Sequence, residues 1–230
     1  TGERESLDTV KTQAAEIKKV LFNGQKPEPV KQAPCIKKNE AFKTSGQVQY
    51  VAQNGNFRKK GLEYTGALEI LKVILSYDYL WINLRVKGGA YGCMSGFKRN
   101  GESFLVSYRD PHLKRTLEVY QGVPDYIRAF EADEREMTKY IIGTISNKDV
   151  PRTPQMQGSI SKTAYFSNVT EDMLQKERNQ ILGAQKEDIQ KLAALVEAVL
   201  SDDQICVVGS ETAIEKAEDV FMEVKPLIGC

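Results

Sequence analysis

Three prolines within eight residues, Pro27, Pro29 and Pro34, cut this chain in two. Each fixes φ and removes a backbone donor, so neither a helix interior nor a central strand accommodates that density. With Lys26, Lys31, Lys37 and Lys38 around them, the prolines read as an extended basic connector. Ahead of it, Val10, Ala14, Ile17, Leu21 and Phe22 recur near helical spacing, which predicts a helix over 5–22 stopped by Asn23-Gly24. The division places an N-terminal helix and connector at 1–44 and a single folded domain at 45–230.

Beyond the connector the pattern is α+β. Residues 47–52 alternate and predict a strand with Val48, Tyr50 and Ala52 on one face, followed by turn chemistry at Gln53-Asn54-Gly55-Asn56. Residues 64–80 are apolar on more than one face, through Leu68, Leu71, Ile74 and Leu75, and predict a deeply buried helix. Two strands, 90–97 and 103–108, flank an Asn100-Gly101 hairpin signal. Helices are expected near 112–122, 124–130, 133–147, 154–167, 171–184 and 187–200. A short strand at 204–208 and a last helix over 211–221 close the pattern. Strands at both ends with helices massed between them predict an α+β fold, a mixed and mainly antiparallel sheet with helices packed on one face.

Composition narrows the function classes. Of 230 residues, 41% are hydrophobic and 27% charged, the balance of a globular protein. A formal net charge of +1 gives the whole chain no general attraction for nucleic acid or an anionic membrane, and neither is expected as a partner. The charge is uneven: residues 1–60 hold twelve Lys/Arg against six Asp/Glu, and residues 170–230 hold six against thirteen. Cys35, Cys93, Cys206 and Cys230 form no CxxC pair and no secreted disulfide framework, so free thiols in a reducing, cytoplasmic setting are expected. No apolar run suits a membrane span and no secretory signal opens the chain. The start at Thr1-Gly2 suggests a piece of something longer.

The chain has one histidine, His112. A two-histidine zinc motif, HxxEH or its reverse, is therefore absent, and Ser-His-Asp or Cys-His catalysis would rest on His112 alone. His112 follows Pro111 and reads as a helix-start surface residue. The segment Arg85-Val86-Lys87-Gly88-Gly89-Ala90-Tyr91-Gly92 lacks the Lys-Ser/Thr of a phosphate loop and matches no dinucleotide turn. Paired glycines allow positive φ or close approach of another chain. Arg85 offers a planar cationic fork to a carboxylate or carbonyl, and Tyr91 a hydroxyl for a developing oxyanion. The plainer alternative is a helix-to-strand turn with Arg85 on the surface and Tyr91 in the core.

That segment resembles the Arg…Gly-Gly-Ala-Tyr-Gly signature in the last domain of the presequence-protease branch of the pitrilysin/insulinase metallopeptidases. Val48-Gln49-Tyr50-Val51-Ala52 with Gly55-Asn56-Phe57, Leu80-Trp81, Tyr108-Arg109-Asp110-Pro111, Thr153-Pro154 and Val207-Val208-Gly209-Ser210 fit the same pattern in order. The resemblance covers most of residues 45–220. It implies four related α+β domains in two bowl-like halves that close around unfolded peptides, with zinc held by HxxEH in the N-terminal half. The family's arginine falls on Arg85 and its tyrosine on Tyr91, as catalytic residues. Gly88, Gly89 and Ala90 join them in binding substrate.

The resemblance thus implies no metal ligand and no cofactor in this chain. Zinc would sit in the absent N-terminal catalytic half, the partners would be that half and unfolded oligopeptides, and the chain alone would be inactive. Two alternatives are a non-catalytic scaffold or protein-interaction domain of the same fold, and an adaptor that uses the basic connector to bind an acidic partner.

Overall fold

The computed structural model describes residues 3–21 and 36–227. In chain order the elements are α1 (Leu7–Leu21), β1 (Glu40–Thr44), β2 (Gln49–Asn56) and α2 (Ala67–Ile74), which continues as π-helical turns over Leu75–Tyr79 and Trp81–Val86. Next come β3 (Gly92–Phe97), β4 (Glu102–Asp110), α3 (Lys114–Gln121), α4 (Val123–Arg128), α5 (Glu134–Lys148) and α6 (Pro154–Phe166). The last are α7 (Glu171–Leu182), α8 (Lys186–Gln190), α9 (Ala193–Leu200), β5 (Gln204–Ser210), α10 (Glu211–Glu215) and β6 (Glu223–Pro226). The chain divides into two compact units, Thr1–Ile36 with Val150–Glu171, and Lys37–Asp149 with Asp172–Cys230.

The first unit carries α1 and α6. The Thr153 hydroxyl accepts from the Met156 amide and Pro154 takes the first helical position, as its missing N–H allows. Neither helix buries a residue. The proline connector, the Asn23-Gly24 stop, Cys35 and Cys230 lie outside the described residues.

The second unit is built on a six-stranded sheet in the order β3-β4-β2-β5-β1-β6. β1 runs parallel to β5 and β6, and the remaining pairs are antiparallel, so the sheet is mixed as expected. One face is covered by α2, α3, α9 and α10. Leu68, Ile70, Leu71, Ile74, Leu75 and Leu80 are all essentially inaccessible. Each such side chain contributes about 1.5–3 kcal/mol of transfer free energy, which makes the α2 segment the main anchor of the core.

The structure departs from the sequence reading at several points. In β2 the buried residues are Gln49, Val51, Gln53 and Gly55, the face opposite to that of Tyr50 and Ala52. Gln49 is tolerated inside because its Oε1 accepts from the Ser210 amide (2.8 Å) and its Nε2 donates to the Pro111 carbonyl (3.3 Å). The strand also runs through Gln53–Asn56, because a β-carbon on Gly55 would lie 2.1 Å from the Val199 carbonyl oxygen. Its glycine admits the backbone of α9 rather than making a turn.

The sheet begins ahead of residue 45. β1 lies inside the segment assigned to the connector, and its EAFKT sequence buries only Ala41, too little to register as alternation. Residues 150–171 separate from the 45–230 block and group with the N-terminal stretch. Finally, 187–200 breaks into α8 and α9, and 211–221 ends as a 3-10 turn at Glu218–Val220 before an unanticipated edge strand, β6.

Candidate functional site

Tyr91 sits at the junction between the long α2 segment and β3, and the junction is set by backbone chemistry. The last π-helical turn closes with the Lys87 amide on the Ile82 carbonyl, the Gly89 amide on Arg85, and the Ala90 amide on Leu84, each at 2.9 Å. Gly89 takes φ +78°, a left-handed conformation open to glycine at no steric cost. Gly88 is buried against the helix end, where a β-carbon would lie 2.4 Å from the Leu84 carbonyl oxygen. Ala90 is buried as well. Of the five residues assigned to substrate, Gly88 and Ala90 therefore shape the turn from inside, and Arg85, Gly89 and Tyr91 face solvent.

Arg85 and Tyr91 are brought together. Arg85 Nη1 donates to the Tyr91 carbonyl oxygen at 2.6 Å, and the guanidinium lies 4.3 Å from the Trp81 ring and 5.6 Å from the Tyr91 ring. Stacking on an indole one helical turn earlier holds the fork without consuming its donors. The Tyr91 side chain is 62% exposed, which removes the alternative of a core tyrosine. Its amide donates to the carbonyls of Tyr108 (3.1 Å) and Arg109 (3.3 Å), so the phenol is presented from the sheet margin rather than from a loose loop.

Sequence reasoning missed three neighbours. Tyr91 packs edge-on to Tyr108 (5.7 Å), and Tyr108 edge-on to Tyr50 (5.3 Å), making a row of three tyrosines along the open side of the sheet. Both Tyr50 and Tyr108 are about two-fifths exposed, at 39% and 41%. Trp81 was signalled by its i, i+4 spacing to Arg85. Tyr50 was read as sharing a strand face with Val48 and Ala52, and alternation alone does not say which face stays open.

Other nucleophiles and bases are poorly placed. Burial pushes the Cys93 thiol up, against the opposing charge of Arg85, and burial does the same to Cys206. The two are free thiols. His112 is exposed, and its amide donates to Asp110 Oδ1 at 2.9 Å. Asp110 is itself buried and takes a second bond from the Thr116 hydroxyl, 2.6 Å, which fixes the start of α3. Among the described residues, no three His, Cys, Asp or Glu side chains gather closely enough to hold a metal ion. No described helix is long and apolar enough to cross a membrane.

Comparison with known proteins gives the family. The chain is 50% identical over 192 residues to Protein HypA of Clostridium perfringens, across 84% of this chain and 20% of that protein. It is 34% identical over 192 residues to presequence protease 1, chloroplastic/mitochondrial, of Arabidopsis thaliana, across 82% of this chain and 18% of that protein. The chain thus spans about a fifth of the length of these curated relatives. Among solved structures, a peptidase M16 inactive domain from Pseudomonas fluorescens shares the fold at TM-score 0.59 and 17% identity, over 97% of this chain and 52% of that one. Pitrilysin does so at 0.57 and 19%, over 86% and 22%. A family model described as the PreP C-terminal domain matches residues 39–211, which takes in every strand except β6. By that match the chain belongs to the PreP C-terminal domain family and is a C-terminal domain of the pitrilysin-type peptidases.

Proposed function

We propose that this chain is the zinc-lacking, substrate-binding C-terminal portion of a zinc-dependent peptidase that degrades unfolded oligopeptides in a closed chamber. The observation that carries the reading is the paired presentation of an exposed Tyr91 phenol and a stacked, carboxylate-free Arg85 at one sheet margin. The described residues do not fit a zinc site, so the metal is assigned to the N-terminal half of the same polypeptide, which closes over this face. The free thiols of Cys93 and Cys206 accord with a reducing cytoplasm.

The roles follow from donor chemistry. The Tyr91 hydroxyl donates to the scissile carbonyl oxygen as negative charge develops there, and that bond strengthens towards the transition state. Arg85 spends one donor on the Tyr91 carbonyl, and the rest of its fork is free to hold the peptide backbone alongside. The three-tyrosine row gives side chains of an extended peptide an apolar, polar-tipped bed.

In the full-length enzyme, Tyr91→Phe is expected to lower kcat on a quenched fluorescent peptide by about 100-fold with little change in KM. Undiminished turnover would remove Tyr91 from catalysis. A second reading, a non-catalytic scaffold, draws support from structural neighbours described as inactive peptidase domains. An HxxEH motif upstream in the gene, with zinc in the purified full-length protein, rules for the peptidase; absence of both rules for the scaffold.

A further inference from the structure

Arg109 is held in a backbone conformation that L residues avoid, with φ +49°. It sits where the β2–β4 register slips: Gln49 pairs with Asp110 and Val51 with Ser107, so Tyr108 and Arg109 together oppose the single residue Tyr50. This is a β-bulge, the device by which a strand re-aims a side chain. Without it, Tyr108 and Arg109 would point to opposite faces; with it, both are exposed. Buried Asp110 and the two Tyr91 amide contacts lock the bulge from either side. The Arg109 guanidinium lies 5.8 Å from the Tyr91 ring, so two arginines flank one tyrosine.

Charge compensation is missing there. Arg85, Lys87, Arg109 and Arg115 surround the turn, Arg115 through a 3.2 Å bond to the Lys87 carbonyl, and among the described residues none of the four makes an ion pair. Asp110, the next residue after Arg109, is buried and already bonded. On a chain with net charge +1, two uncompensated arginines against one exposed aromatic, with Lys87 and Arg115 on the turn beside them, make a local anion site. A strained arginine aimed into such a site is better explained by a ligand than by folding, since glycine would occupy φ +49° without strain.

We infer that Arg109, with Arg85, binds a carboxylate of the peptide beside Tyr91, so that the site selects peptides bearing an acidic group close to the bond presented to Tyr91. The inference rests on the reading of Arg85 and Tyr91 as peptide-binding. The carboxylate has two sources, an Asp or Glu side chain or the free C-terminus of a short peptide. Either forms a forked, charge-assisted pair with guanidinium.

The test uses the full-length protein and fluorescence anisotropy with four labelled peptides of one unfolded sequence: internal Glu or Gln, each with a free or an amidated C-terminus. Wild type is expected to bind the carboxylate-bearing peptides about tenfold more tightly than the Gln, amidated one. In Arg109→Gly that preference disappears, Arg109→Lys restores part of it, and the Arg109→Gly melting temperature stays level or rises because the strain is gone. Whichever carboxylate carries the preference identifies the source. An equal preference in wild type and Arg109→Gly overturns the inference while leaving the peptidase reading intact. A fall in melting temperature with unchanged selectivity makes Arg109 structural and overturns it too. If no peptide binds wild type, both readings fall.

Discussion

β3 is bounded by arginines at both ends, and their circumstances are opposite. At the hairpin end, Arg99 makes a bidentate pair with Glu177 of α7, with 2.5 Å contacts from Nε and Nη2. Glu177 is only 7% exposed at its side chain, and Lys148 stands 3.9 Å from its Oε2, the oxygen that Arg99 Nη2 also bonds. The pairing raises Arg99 above its ordinary value, chiefly through that hydrogen bond and against burial. At the Tyr91 end, Arg85 and Arg109 touch aromatic rings and a carbonyl and meet no carboxylate. One end uses its charge to fasten a hairpin to a helix; the other keeps its charge available. A buried pair is costly to break because the survivor stays desolvated, whereas an exposed stacked arginine is cheap to lose for the fold and expensive for a ligand.

The largest expected effect breaks the fastened end. Arg99→Ala leaves Glu177 buried with only Lys148 nearby, and should cost about 3 kcal/mol of stability in urea unfolding of the chain. On the proposed peptidase reading, peptide turnover by the full-length protein, measured well below the melting transition, should stay within about twofold, since nothing at the Tyr91 end moves. Arg85→Ala should do the reverse: a stability change below about 1 kcal/mol and a fall in turnover of roughly 30-fold, the loss of one charged hydrogen bond. If the two variants behaved alike, the contrast between the ends would be wrong.

The next effect separates two glycines that the sequence presents as equivalent. Gly88→Ala forces a β-carbon against the Leu84 and Asn83 carbonyl oxygens, 2.4 and 2.9 Å away, and the helix end must shift. About 1–3 kcal/mol is expected, with lower turnover because Tyr91 moves with the turn. Gly89→Ala meets only Pro111 Cγ at 3.6 Å, so its cost is conformational, about 1 kcal/mol. Asn, which tolerates the left-handed region, should recover part of the Gly89 loss and none of the Gly88 loss. Thermal melts of the four variants decide this, and equal rescue at both positions would mean that the two glycines serve one purpose.

These contrasts also mark what was legible in the sequence. The α2 segment was readable because burial on several faces leaves a dense apolar signal, and the hairpin because Asn100-Gly101 has few other uses. Arg85 and Tyr91 were readable as an ordered motif, though not their exposure. The buried face of β2 was not legible because hydrogen bonding lets glutamines go inside while Tyr50 stays out, the reverse of the usual hydropathy order. Arg109 was readable as part of a motif, but its placement beside Tyr91 was not: a bulge is a property of two paired strands, and no single-strand pattern encodes a register slip. β6 was lost because four residues, half of them charged, gain their strand character from β1 alone.

The far edge of the sheet offers the smallest test, a charge that is compensated without being buried. Lys225 and then Lys38 bond the Glu223 carboxylate, at 2.6 and 2.8 Å, and hold it at about 2, well under its ordinary value of 4.5. Glu40 stands across from it in register on β1. Because the folded value is depressed, the pair contributes above pH 4.5 and the contribution fades as pH falls towards 2. Glu223→Gln should therefore melt below wild type at pH 6, converge with it near pH 2, and lose most of the difference in 1 M salt, where exposed charges are screened. Arg99→Ala should show none of that salt sensitivity. A Glu223 effect as large and as salt-resistant as that of Arg99 would mean that pairing alone, and not burial, distinguishes the fastened arginine from the two free ones.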